Sequence, residues 1–188
     1  ALLISLIATG CGKIEKTYWP DGEIKSRIPY DRSGKMDGTA YWYYQDGTPQ
    51  MEADYSGGML DGTLTRWQEN GVKVFEGQYS EGKLNGISIE WNFAGIKVLL
   101  QTYTNDILNG PFAEWYPSGQ RLSEGQYLDG YMEGTWVWWD IAGNIMARGE
   151  FVGGNGLKKI INPMGREIGT VEYIENDEQP SPFNVESF

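Results

Sequence analysis

Histidine is missing from this chain, and cysteine occurs once, at Cys11. Without imidazole there is no Ser–His or Cys–His nucleophile, no general base of the usual kind, and no footing for most zinc or iron sites. A single thiol allows neither an intramolecular disulfide nor a multi-thiolate metal centre. Positive charge is also scarce. Against 26 Asp and Glu stand only 15 Lys and Arg, giving a net charge of −11 and a pI near 4.4. A field of that sign repels phosphates, which argues against nucleic acid and anionic lipid headgroups as ligands. No stretch carries helical apolar spacing without a glycine breaking it, so helices are not expected. Neither the acid spacing of a calcium loop nor the glycine spacing of a phosphate loop is present. Carboxylate pairs do occur, such as Glu90 with Glu114, and two acids at a fixed separation can cleave a glycosidic bond. These two stand at equivalent points of a repeat, where a solvated surface accounts for them. The expectation is a protein that is not an enzyme and takes no cofactor and no metal.

What the chain does have is a period. Glycines recur at Gly22, Gly47, Gly71, Gly95, Gly119, Gly143 and Gly165. Eight residues after each comes an aromatic: Tyr30, Tyr55, Tyr79, Tyr103, Tyr127, Phe151 and Tyr173. Four residues before most of them stands Tyr18, Tyr43, Trp67, Trp91, Trp115 or Trp139, with Ile161 closing the series. A second series, Gly38, Gly62, Gly86, Gly110 and Gly134, keeps a 24-residue spacing. Such matched registers define a tandem array.

Each copy reads as a β-hairpin. Ile87 to Trp91 and Thr135 to Trp139 have the β-branched, aromatic character of strands, and Asn70-Gly71, Asp46-Gly47 and Asp21-Gly22 are hairpin-turn dipeptides. Asp61-Gly62, Asn85-Gly86 and Asn109-Gly110 are expected to reverse the chain between hairpins. The predicted fold is all-β, an elongated single-layer meander of tandem antiparallel hairpins. At about 4.8 Å per strand, some seven units would extend over roughly 65 Å. Positions one, three and five after the connector glycine (Ile87, Ile89 and Trp91 in one unit) are expected to form the core with the second-strand aromatics. The small residues Gly77, Gly125 and Gly149 are expected to leave room for a neighbouring ring.

The segments Tyr79 to Gly86 and Tyr127 to Gly134, together with the turns from Trp67 to Gly71 and Trp115 to Gly119, resemble MORN repeats in their bacterial variant form. The resemblance runs from about Tyr18 to Tyr173, with a departure at Asp106, where glycine is expected, and another near Gly154. Proteins of this kind are often described as YwqK-type antitoxins. The resemblance therefore implies a binding role, with an antitoxin or immunity function as its narrower form.

The apolar run Ala1 to Ala8 is too short to span a bilayer, which takes about 20 residues. It matches the end of a secretory signal, and Cys11 after Thr9-Gly10 resembles a lipobox cysteine. Residues 1–10 are thus read as a signal-peptide remnant, 11–17 as a lipidated linker, 18–174 as the repeat array and 175–188 as an acidic disordered tail. Gly12 after Cys11 favours the outer membrane or cell surface of a bacterial envelope over the cytoplasm. Positions two and four after the connector glycine face away from the expected core, and Trp42, Phe112, Trp136 and Trp138 there are candidate partner-binding residues, the alternative being that the sheet curls and buries them on its second face or that the tail covers them. The function expected is a lipid-anchored scaffold that binds a basic protein, touches the membrane only through its lipid, and ignores nucleic acid. The oligomeric state stays open. The alternative is a carbohydrate- or choline-binding wall module that uses exposed aromatics.

Overall fold

The computed structural model describes residues 12–174, and every regular element among them is a β-strand. Contacts divide the chain into two compact units, Ala1–Gly95 and Ile96–Phe188. The first holds β1 (Lys13–Tyr18), β2 (Ile24–Tyr30), β3 (Gly38–Tyr43), β4 (Pro49–Ser56), β5 (Met59–Trp67), β6 (Lys73–Ser80) and β7 (Lys83–Trp91). The second holds β8 (Lys97–Thr104), β9 (Ile107–Leu108), β10 (Gly110–Trp115), β11 (Arg121–Leu128), β12 (Tyr131–Trp139), β13 (Ile145–Val152), β14 (Asn155–Ile161) and β15 (Glu167–Tyr173). Within each unit the strands pair antiparallel in chain order, with the two-residue β9 pairing with β8. The expected all-β meander is the fold the chain adopts. Residues 13–17, expected as linker, make up most of β1. Residues 1–10, Cys11 and the segment 175–188 lie outside the described residues.

Two kinds of turn alternate from β3 onward, the longer kind also joining β1 to β2 and, at Asp31–Lys35, β2 to β3. The longer one carries the period glycine. At Gln68–Val72, the Gln68 amide donates to Val72 O (2.9 Å), the Gly71 amide to Gln68 O (2.9 Å), and Gly71 takes φ +79°. The pairing then slips by one residue, Arg66 facing Phe75 and Trp67 facing Lys73, as follows a turn closed by a left-handed residue. The shorter turn has two residues, both left-handed: Gly57-Gly58, Glu81-Gly82, Asn105-Asp106, Asp129-Gly130 and Gly153-Gly154, with φ from +51° to +92°. This geometry matches the twist of the flanking strands in a two-residue hairpin.

This second turn corrects the sequence reading, because the reversal lies four residues ahead of Asp61-Gly62, Asn85-Gly86 and Asn109-Gly110. Gly62 and Gly86 sit inside β5 and β7, and Gly110 opens β10. At Gly62, where φ is +125°, a Cβ would lie 2.6 Å from the Cβ of Asp54 on β4. The glycine lets β5 pass Asp54, which is skipped in the β4–β5 register, and it does not turn the chain.

The facing of the strands is the second correction. Paired residues on antiparallel strands share a face. Two rows of side chains therefore cross each unit. In the second unit one row runs Phe112–Gly125–Trp136–Gly149–Lys158, with Trp136 opposite Gly149 and Phe112 opposite Gly125. Large and small residues alternate along it, and the Trp136 ring lies over Gly125. A Cβ on Gly125 would meet the indole of Trp136, and one on Gly149 the ring of Phe151. That is how a single sheet buries aromatics without a second layer. Phe112, Trp136 and Trp138 are 6%, 2% and 9% exposed and form the core of this unit with Ala147 and Phe151. The face expected to be free of scaffold is therefore the buried one. The repeat tryptophans Trp91, Trp115 and Trp139, expected as core, are only half-buried.

In the first unit the same face is filled differently. Its inner row, Ala40–Ala53–Leu64–Gly77–Ser88, is small and buried. Its bulk sits in the next row, Trp42–Met51–Arg66–Phe75–Glu90.

Candidate interaction surface

That outer row forms the floor of an open groove of about 680 Å³ in the first unit. One residue comes from each of β3 to β7, so the floor spans five strands, or about 19 Å at ~4.8 Å spacing. The rim comes from the strand ends and longer turns, where Tyr44, Trp67, Gln68, Trp91, Asn92 and Phe93 stand. Phe93 is 82% exposed. The Trp42 ring leans on Tyr55 with centroids 6.5 Å apart. Arg66 lays its guanidinium 4.8 Å above the Phe75 ring, and Lys73 reaches over Trp91 at 5.6 Å while paired with Glu76 at 2.6 Å.

The first residue of the longer turn bridges repeats. Trp19 Nε1 donates to Tyr43 O (3.3 Å), Tyr44 Oη to Trp67 O (2.9 Å), and Tyr116 Oη to Trp139 O (3.0 Å). Gln68 holds the same place, yet its buried Nε2 has no acceptor. A buried amide donor left unmet costs free energy on the order of 1–3 kcal/mol.

The second unit has an open groove of about 700 Å³ on its other face, around Ala113, Trp115, Glu124 and Gln126. There Trp115 lies between Lys97 Nζ (5.5 Å) and Arg121 Cζ (4.7 Å), and Arg121 pairs with Glu124 at 2.8 Å.

Carboxylates cap the turns. Asp46 accepts from the Thr48 hydroxyl (2.6 Å) and amide (2.9 Å), and Asp140 from the amides of Ala142 (3.0 Å) and Asn144 (2.9 Å). Asp21 accepts from Gln45 Nε2 (2.6 Å) and the Glu23 amide (3.1 Å). These bonds favour the ionised form. The Gln45 side chain holds Asp21 below the usual carboxylate range, the Thr48 hydroxyl does so for Asp46, and the Asn144 side chain for Asp140. The Lys35 amide does the same for Asp31. Among the described residues no cluster of three or more acids could hold a metal ion.

Of the four sequence-predicted binding aromatics, Trp42 alone lines the first unit's groove. Phe112 contributes to the second unit's groove but is buried, and Trp136 and Trp138 are core. Sequence reasoning named none of Met51, Arg66, Phe75 and Glu90 as binding residues, although Arg66 and Glu90 stand four after Gly62 and Gly86, the place Trp42 holds after Gly38. Counting strand parity from the pair Gly62–Tyr79 places them with Trp42 on one face.

A chain of hairpins whose turns and ring positions repeat in register is a tandem β-repeat protein. Three segments, residues 13–32, 36–56 and 108–129, match the family described as MORN repeat variant. Each covers one hairpin: β1–β2, β3–β4 and β10–β11. MORN repeats are generally modules for interaction with proteins or membranes. No curated protein matches the chain.

Proposed function

We propose that this chain is a lipid-anchored, non-enzymatic repeat protein of the bacterial cell envelope that holds a basic protein partner. The observation that carries the reading is the set of turn carboxylates at Asp21, Asp31, Asp46 and Asp140. Each is fixed in place by hydrogen bonds and keeps its charge at pH values where free carboxylates begin to protonate. Fixed charge on a body of net charge −11 speeds and orients encounter with a cation-rich surface. The narrower form is an immunity role, in which the chain occludes a basic toxin at the membrane. Cys11 supplies the tether, as the cysteine of a lipobox-like segment.

Two measurements test this. Radiolabelled palmitate should enter the full chain and be lost in Cys11→Ala; equal labelling would remove the tether. Capture of a basic partner from detergent-solubilised membranes should fall steeply when salt rises from 0.05 to about 0.5 M, because the screening length drops below about 5 Å. The same fall is expected in the variant Asp21→Asn, Asp46→Asn, Asp140→Asn. Capture indifferent to both changes would refute the electrostatic reading.

A further inference from the structure

The groove of the first unit has a chemistry that partner capture by turn carboxylates does not use. Its floor and rim offer the rings of Trp42, Trp67, Phe75, Trp91 and Phe93, one cation in Arg66 and one anion in Glu90. These charges cancel, so the groove favours an uncharged guest. Two ring faces are already covered by the protein's own cations, Arg66 over Phe75 and Lys73 over Trp91. That arrangement repels a quaternary ammonium group, which would need those faces itself. Gln68 lines the groove with its Nε2 unpartnered but shielded, so a rotation of this side chain would be needed to offer the donor to an oxygen in the groove. Rings for C–H faces, a donor for a hydroxyl or acetamido oxygen, and an exposed carboxylate to accept O–H are together the demands of a sugar. The volume falls within the range of about 300–1,000 Å³ typical of small-ligand sites, and the five-strand floor suits a short oligomer over a single ring.

We propose that the groove across β3 to β7 is a binding site for a neutral oligosaccharide, stacked on Trp42, Trp67 and Phe93 and hydrogen-bonded to Gln68. This goes beyond the protein-binding role and uses none of its carboxylates. A polysaccharide contact here would lay the chain along glycan while its turns hold a partner.

The test is a tryptophan-fluorescence titration of the full chain with chitotriose, cellotriose and maltotriose, with choline as the cationic control. At least one trisaccharide should give a saturable change with Kd of about 1 mM or tighter, and choline should give none. Phe93→Ala, at an exposed position that leaves the fold intact, should weaken binding roughly three- to tenfold. Gln68→Leu should weaken it about tenfold while leaving the melting temperature unchanged or higher, since an unmet buried donor is removed. The proposal is overturned by no saturable response to any of the three sugars at about tenfold higher concentration, which is also what a peptide-specific groove would give. It is equally overturned if Phe93→Ala and Gln68→Leu bind like the parent, or if choline saturates the signal instead.

Discussion

Replacing Gly125 with alanine tests how a single sheet buries its rings. A Cβ there would stand 2.6 Å from Trp136 Cγ, with the two ring-fusion carbons closer still. Carbon pairs rest at about 3.5–4.0 Å, so the indole would have to move by roughly 1 Å or more. It is hemmed in by Phe112 at 5.3 Å, Tyr127 at 5.2 Å and Trp138 at 5.9 Å between centroids. Its Nε1 is held by Gln126 O at 3.2 Å. Overpacking of this kind costs about 1–3 kcal/mol, and loss of the indole hydrogen bond adds about 1 kcal/mol. The expected destabilisation is about 2–4 kcal/mol, read from urea unfolding followed by tryptophan fluorescence. In a Trp136→Leu background, where the ring is gone, the same change should cost less than about 1 kcal/mol. A Gly125→Ala protein within about 0.5 kcal/mol of the parent would refute the reasoning, because a ring seated on that glycine could not have accepted a methyl group.

Two further outcomes follow from backbone and charge. Asp106 holds a left-handed turn position, φ +70°, that is Gly58, Gly82, Gly130 and Gly154 elsewhere. Asp106→Gly should therefore stabilise by about 0.5–1 kcal/mol and Gly130→Asp should destabilise, both read by calorimetry; a lower melting temperature for Asp106→Gly would contradict the turn assignment. Burial, and then the Glu114 charge, push the Tyr127 phenol up to about 12 from an ordinary value of 10.0. Because the folded value is raised, this contribution is full below about pH 10 and is lost as pH climbs from 10 toward 12, to a total of roughly 2–3 kcal/mol. Tyr127→Phe should lose less stability across that window, and a parallel decline in both proteins would remove the phenol as the cause.

Much of the fold was legible because glycine and aromatic positions repeat, and periodic constraints on turns leave few alternatives to tandem hairpins. Gly71 and its equivalents do form the longer turns, and Gly77, Gly125 and Gly149 do sit beneath rings or beside a leucine. The connecting turns were misread for a physical reason. Asp-Gly and Asn-Gly advertise a reversal, whereas Glu81-Gly82 does not, although Glu81 adopts φ +51°. Gly62 answers a different need, close passage of Asp54. The faces were misread because strict periodicity of Trp67, Trp91 and Trp115 looked like the signature of a core. Burial instead follows the large–small alternation across strands, visible only once Gly62 is paired with Tyr79. The groove was not read because Met51 and Phe75 come from second strands, whose facing relative to Trp42, Arg66 and Glu90 depends on that register.

The central claim is that the rings between the repeat tryptophans hold the second unit together and do not greet a partner. Trp136→Ser with Trp138→Ser tests it most directly, by thermal unfolding followed with near-ultraviolet circular dichroism. Each loss of a buried large ring costs about 3–5 kcal/mol, so the pair removes roughly 6–10 kcal/mol from a domain stability of about 5–15 kcal/mol. The account predicts that the cooperative transition is abolished or lowered by tens of degrees. A double variant that melts like the parent but no longer captures its partner would contradict it.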